Sequence, residues 1–267
     1  MTDDRSGLEI AEYFARLAPT YGAGEYYRKR RAAVLDALVA RGRQFPRLLD
    51  LGCGNGTYLA AFRTRLDPDF LAGADLSLGM LAAAKRRSAA DLLVACDAHV
   101  LPFKSAVWNG VFCSHLLQFI ADLPRCLREI ARCLSDGGTL IIAGGEFGTA
   151  ERLKQMLGDA RWSAFRSELP RPRGSHRHRT LEDYRDAATA AGFTVEARRI
   201  PFNCTAADLA EFYRVRWLPL VAPEPRAAMS TALDELMRAH GGEEIAMEEA
   251  LLLCHKGSVD AGNLSGF

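Results

Sequence analysis

Apolar positions along the chain recur in two periods, and glycine or proline marks most of the places where one period gives way to the other. Residues 8–40 set Ile10, Phe14 and Leu17 on one helical stripe and Val34, Leu35 and Leu38 on a second, with Pro19 and Gly22-Ala23-Gly24 breaking them apart. Leu48, Leu49 and Leu51 are apolar on both faces, as in a central strand of a parallel sheet, and Gly52, Gly54 and Gly56 arrive where that strand should end. The pattern Y-L-A-A-F-R-T-R-L from Tyr58 is helical. Strands are then predicted at 70–74, 92–95, 110–114 and 139–143. Helices fall between them at 80–87 and 121–134, the latter with Leu123, Leu127, Ile130 and Leu134 at helical spacing. Strands separated by helices imply right-handed crossovers and a doubly wound α/β sheet that binds ligands at the carboxyl ends of its strands.

Beyond Gly145 the texture changes. Residues 147–179 place Trp162 and Phe165 among arginines and end in a basic run at 171–179. A helix should restart at Thr180, with Asp183 three residues on in a capping-box arrangement, and stop at Gly192. A sixth strand is predicted at 193–201 and a closing seventh at 250–255, with helical runs at 205–240 around Pro219, Pro223 and Pro225. The two insertions follow strands five and six, so both should cap one edge of the sheet.

The chemistry starts at the glycine turn. Without Cβ atoms, Gly52, Gly54 and Gly56 can take positive φ and let a ligand approach backbone N–H groups at a helix N-terminus. Asp75, which ends the second strand, lies about twenty residues downstream, where nucleotide-binding folds place the carboxylate that takes ribose hydroxyls. A dinucleotide fingerprint needs G-x-G-x-x-G, and here the third glycine comes one place early, which disfavours a nicotinamide cofactor.

Residues 48–57, L-L-D-L-G-C-G-N-G-T, resemble motif I of the class I S-adenosyl-L-methionine (SAM)-dependent methyltransferases, in the small-molecule branch of the methyltransferase type 11 kind. Asp75-Leu76-Ser77 with Met80-Leu81 is similar to that family's acidic end of strand two. Cys96-Asp97-Ala98 with Leu101-Pro102-Phe103 resembles its strand-three loop, and residues 134–140 resemble its L-x-P-G-G segment, with Asp136 in place of the proline. The resemblance runs from Leu48 to about Ala143, with a weaker echo at Ala191-Gly192-Phe193. It implies a Rossmann-like, seven-stranded, mostly parallel sheet with helices on both faces and helical cap insertions.

For the cofactor, the resemblance implies SAM, with S-adenosyl-L-homocysteine as product. Asp50 would lie near the methionine amino group, Gly52, Cys53 and Gly54 along the methionine and ribose, Asp75 and Leu76 at the ribose with Met80 close by, and Asp97 and Ala98 at the adenine edge, with Ser114 completing the site. Residues 13–21 resemble the leading helix that folds over the cofactor as a lid in small-molecule methyltransferases, so Tyr21 and Tyr26 should close the site and Arg28 should face the SAM carboxylate. The expected division is a lid at 1–45, a SAM-binding core at 46–146 and 180–202, cap insertions at 147–179 and 203–246, a last strand at 247–257 and a tail at 258–267.

Composition narrows the partners. The 267 residues are 49% hydrophobic, enough for a sizeable core, and 34 basic against 33 acidic side chains leave no whole-chain electrostatic case for nucleic acid or membrane. Acidic residues at the N-terminus and the absence of a ~20-residue apolar run point to the cytoplasm and to a monomer or homodimer away from membranes. Seven cysteines, an odd number with no C-x-x-C pair, read as reduced packed thiols, and His176-x-His178 lacks the partners of a metal site.

Methyl transfer from a sulfonium needs mainly orientation, and a base only where the acceptor must lose a proton. His115, at the end of the fourth strand, has the right intrinsic pKa for that base, although no partner carboxylate is visible in the sequence to orient it. Gln118 stands where relatives carry His, and His176, His178 and Tyr213 are further pocket candidates from the insertions. The expected function is methylation of an oxygen or nitrogen on a small-molecule acceptor. The alternatives are a tRNA methyltransferase using the basic run, and a SAM-binding partner protein without transfer activity.

Overall fold

A computed structural model describes residues 4–42, 45–87, 89–144, 149–169 and 179–257. Two helices open the chain, α1 (Asp4–Leu17) and α2 (Glu25–Val39). Strand β1 (Arg47–Leu51) runs through the glycine turn into α3 (Thr57–Arg65), and β2 (Phe70–Asp75) into α4 (Leu78–Arg87). Strands β3 (Leu92–Ala95) and β4 (Trp108–Ser114) follow, then α5 (Leu123–Cys133) and β5 (Leu134–Ala143). The remainder comprises α6 (Thr149–Leu157), α7 (Asp159–Ser167), α8 (Leu181–Ala190), β6 (Phe193–Thr205), α9 (Ala206–Arg216), α10 (Pro223–His240) and β7 (Glu244–Lys256).

The seven strands form one sheet in the order β3-β2-β1-β4-β5-β7-β6. Strands β1 to β5 pair in parallel, whereas β7 lies antiparallel between β5 and β6. The strand order reverses between β1 and β4, so the binding crevice of a doubly wound sheet lies beyond Leu51 and Ser114. One face is covered by α5 and α8 over Leu49, Val111, Leu140 and Leu252, and the other by α2 and α3 over Leu48, Phe112, Ile141 and Leu253. The expected cap on α8 is present: Asp183 N–H donates to Thr180 Oγ1 at 3.1 Å and Thr180 N–H donates to Asp183 Oδ2 at 2.6 Å.

The last two strands are longer than the sequence pattern predicts. β6 continues to Thr205 and β7 begins at Glu244, because past the end of β5 they pair with each other. In this two-stranded extension Phe202, Cys204, Ile245 and Met247 form a second core with Trp162, Phe165, Leu209, Tyr213, Leu233 and Leu236 from α7, α9 and α10. The helical cap is thereby fixed to a projecting ribbon of the sheet, and Glu249, on the same face of β7, reaches His115 at the end of β4.

Candidate active site

The glycine turn folds back over the end of β2. The Gly52 and Cys53 amides donate to Ala74 O at 2.7 and 3.0 Å, and the Gly54 amide donates to Asp75 Oδ2 at 2.8 Å. These N–H groups, expected to be open to a ligand, are therefore spent inside the protein, since closing the turn on β2 satisfies them. Asp75 Oδ1 accepts from Ser77 N at 2.8 Å. Each carboxylate oxygen keeps a second lone pair, so the residue can brace the turn and still accept hydroxyls. Gly52 and Gly54 have φ of 76° and 54°. A Cβ at Gly52 would stand 3.0 Å from Leu116, and one at Gly54 would stand 3.7 Å from the Tyr21 ring and 3.9 Å from Met80 Sδ.

Asp50 is 2% exposed and its Oδ2 has no hydrogen-bond partner. Burial first, then the nearby Asp75 charge, push its carboxyl well above the usual carboxylate range. Burial raises Asp75 as well, against the lowering pull of the Ser77 and Gly54 amides. An orphaned carboxylate beneath a glycine cradle suits a ligand that brings positive charge, as the ammonium and sulfonium of SAM do. Leu76 is 42% exposed beside this acid, Met80 and Ala98 are buried, and the Asp97 Oδ1 accepts from the His99 amide at 2.8 Å and lies 2.7 Å from its ring.

The N-terminal helices dock onto the cradle through side chains that sequence reasoning did not single out. Asn55 Nδ2 donates to Ala18 O at 3.0 Å and Tyr21 O at 2.7 Å, and Ser77 Oγ donates to Ala11 O at 2.9 Å. Gly79 permits α1 to approach α4, since a Cβ there would lie 2.7 Å from that of Ala15. Tyr21 is thus held at Gly54. Tyr26 instead packs against Phe202 and Phe212 of the cap. Arg28 is 61% exposed on its side chain and pairs with Glu25, so it does not reach the cradle.

Across the crevice from Asp50, the chain leaves β4 through Ser114, which lies beside Tyr58, and His115. His115 has a positive φ of 53°, and Gln118 Nε2 donates to its carbonyl at 3.3 Å. The sequence shows no carboxylate to orient this histidine, but the fold supplies one. His115 Nε2 lies 3.0 Å from Glu249 Oε1, and Arg30 Nε of α2 lies 4.0 Å from Glu249 Oε2. The three side chains are only 8%, 2% and 7% exposed. Burial, then Arg30, push the His115 pKa below its usual 6.5 against the pull of Glu249. Burial opposes ionisation of Glu249, yet His115 and Arg30 outweigh it and hold its carboxyl below 4.5. The result is a neutral imidazole at pH 7 beside a charged carboxylate–guanidinium pair.

Glu249, Arg30 and Arg216 each had a legible signal. Glu249 shares the inward face of β7 with Ile245 and Met247, Arg30 falls on the buried stripe with Tyr26, Val34 and Leu38, and Arg216 follows Leu209 and Tyr213 on α9. Each is a charge in an apolar register.

Tyr213 is 4% exposed in the cap core, ringed by Trp162, Phe165 and Phe212 with its hydroxyl on Thr149. This placement gives it a packing role away from the cradle. His176, His178 and residues 171–178 of the basic run lie outside the described residues. Arg179, the last of that run, donates to Leu117 O and Ile120 O at 2.8 and 2.9 Å. An open crevice between α6 and α7, lined by Glu151, Lys154, Trp162 and Arg166, contains none of the expected site residues. All seven cysteines are free thiols. Among the described residues no cluster of His, Cys, Asp and Glu could hold a metal ion, and no helix is long and apolar enough to cross a membrane.

A doubly wound sheet with a glycine turn after β1, an acid at the end of β2 and an antiparallel β7 defines a nucleotide-binding α/β protein of the Rossmann-like class. Residues 49–142 match the family described as a methyltransferase domain. A malonyl-[acyl-carrier protein] O-methyltransferase of Geobacter sulfurreducens is 30% identical over 189 residues, covering 69% of this chain and 70% of that one. The enzyme of that name from Enterobacter lignolyticus is 36% identical over 133 residues, covering 49% and 51%. In these matches the chain spans from about half to about 70% of its curated relatives' length. A phosphoethanolamine N-methyltransferase 2 of Haemonchus contortus, solved in complex with SAM, shares the fold with a TM-score of 0.54 at 19% identity, covering 84% of this chain and 52% of that one. The chain belongs to the class I SAM-dependent methyltransferases.

Proposed function

We propose that the chain transfers a methyl group from SAM to an oxygen or nitrogen of a small-molecule acceptor. The observation that carries this reading is the buried, partnerless Asp50 carboxylate under the Gly52–Gly54 turn that Asp75 closes. Asp50 would take the donor's ammonium. Asp75 would take its ribose hydroxyls with Leu76 exposed alongside, and Asp97 and Ala98 would meet the adenine, while Cys53, Met80, Ser114 and Tyr21 complete the walls. The bound donor supplies a sulfonium whose positive charge drives in-line displacement of its methyl group.

The chain's own part is to orient the acceptor, exclude water and, where needed, receive a proton. A neutral His115 can receive one, with Glu249 fixing the ring: an imidazole whose Nε2–H donates to a carboxylate keeps Nδ1 as its basic nitrogen. Oxygen is the favoured acceptor atom, because the two curated relatives described above are named as O-methyltransferases. The near-balanced charge favours a small molecule over RNA.

The test is transfer of a labelled methyl group from SAM into a host extract separated into small molecules, RNA and protein. Label among the small molecules is expected. Label confined to RNA would overturn the acceptor class in favour of a tRNA methyltransferase. SAM binding with no label in any fraction would favour a non-catalytic partner protein.

A further inference from the structure

Arg216, at the last turn of α9, is 9% exposed, and its Nη1 is buried without a hydrogen-bond partner. Its guanidinium carbon stands 4.7 Å from the Tyr21 ring centre, 5.0 Å from that of Trp217 and 5.3 Å from that of Phe14. The titratable groups that act on it are Tyr21, Tyr27, Tyr13 and Arg30, with no carboxylate among them. Among the described residues, the other buried charges at the crevice can be accounted for. Arg30 has Glu249, Glu249 has both Arg30 and His115, and Asp50 awaits a cationic ligand.

The position of Arg216 ties it to the same crevice. Tyr21, against which it stacks, is the residue that would meet a Cβ at Gly54, and the charge of Arg216 is felt at His115. Thr20 Oγ1 donates to Val215 O at 3.1 Å, which fixes the α1–α2 connection on the end of α9. Aromatic faces and the α9 C-terminus partly compensate the positive charge, but they leave its donors unfilled. A buried guanidinium with free N–H groups is a fork shaped for a carboxylate.

We infer that Arg216 binds a carboxylate of a ligand in this crevice, with Tyr21, Trp217 and Phe14 holding the guanidinium flat against it. This rests on the methyltransferase reading above. The carboxylate has two sources, the amino-acid end of the donor or the acceptor itself, and one set of measurements separates them.

Wild type, R216K and R216M are titrated calorimetrically with SAM and with decarboxylated SAM, which keeps the sulfonium and lacks only the carboxylate. Melting temperature is then followed as succinate is added to each protein, alone and with S-adenosyl-L-homocysteine. If the donor supplies the group, wild type prefers SAM over its decarboxylated form by roughly ten- to a hundredfold, R216K keeps part of that preference and R216M abolishes it. If the acceptor supplies it, all three proteins show the same ratio between donors, and succinate raises the melting temperature of wild type but not of R216M.

A SAM preference identical in wild type and R216M, together with a succinate response that ignores residue 216, overturns the inference. Should R216M fail to fold, R216K decides by the same comparisons. A wild type that binds no SAM defeats the donor assignment instead, and the succinate comparison then still reports on Arg216 alone.

Discussion

Asp50 and Glu249 are both carboxylates buried to 2% exposure or less, on opposite sides of one crevice, and their surroundings drive them in opposite directions. Burial, and then a second carboxylate nearby with no cation to offset it, raises the Asp50 pKa well above 3.8. Glu249 sits between Arg30 and His115, so its pKa falls below 4.5 despite equal burial. A charge neutralised within the fold holds structure together, and one left unneutralised waits for a ligand. The two sides of the crevice therefore separate by what a substitution does to stability and what it does to binding.

The largest effect is expected on the neutralised side. Glu249→Ala leaves Arg30 buried without its counter-ion, and removing one partner of a buried pair costs about 3–5 kcal/mol. Urea unfolding should show that loss, and R30M/E249M should recover much of it. A midpoint unchanged in Glu249→Ala would mean that water already compensates Arg30.

Asp75→Ala acts on binding. It removes the proposed acceptor of the ribose hydroxyls, each charge-assisted bond being worth about 1.5–3 kcal/mol, so SAM affinity measured by calorimetry should drop at least roughly tenfold. Normal SAM affinity in this variant would end the cofactor assignment.

Asp50→Asn gives a smaller change of opposite sign in stability. Folding raises the Asp50 pKa above the 3.8 of the unfolded chain, so the unfolded state loses this proton first as pH climbs. Stability linked to the group is complete below about pH 3.8 and is lost as pH rises through the folded pKa. The amide cannot ionise, so the variant without ligand should be more stable than wild type at pH 7, by about 1.4 kcal/mol per unit of the raised pKa, while binding SAM less well. Equal stability of the two proteins at pH 4 and at pH 7 would show that Asp50 is not under electrostatic strain.

The same division governs what could be read from the sequence. The cradle is local: strand, glycine turn, helix and the acid at Asp75 occupy one stretch, and β3 falls at Leu92–Ala95, as alternation predicts. The opposite wall joins Arg30, His115, Arg216 and Glu249 from four separate elements, and no spacing rule links positions so far apart. Only their occurrence in apolar registers marks them. The ends of β6 and β7 were missed for a related reason. Their outer halves pair with each other, and that pairing is long-range. Asp136, in place of the family's proline, has the backbone N–H that proline lacks, and β5 begins early enough to pair Leu134 with Trp108.

The smallest effect tests the boundary of the site. By family resemblance Arg28 should face the donor's carboxylate, yet the fold turns it outward on α2 to pair with Glu25, three residues back, at 2.7 Å from its Nε. Exposed pairs at this spacing contribute little, because water solvates both partners and salt screens them. Arg28→Ala should therefore leave SAM affinity within about twofold of wild type, the scale expected of a screened surface charge, and should leave the melting temperature unchanged. A tenfold loss of SAM affinity would instead show that α2 turns inward when the donor binds. Arg28 would then displace Arg216 as the partner of the donor's carboxylate, and Arg216 would be left to the acceptor.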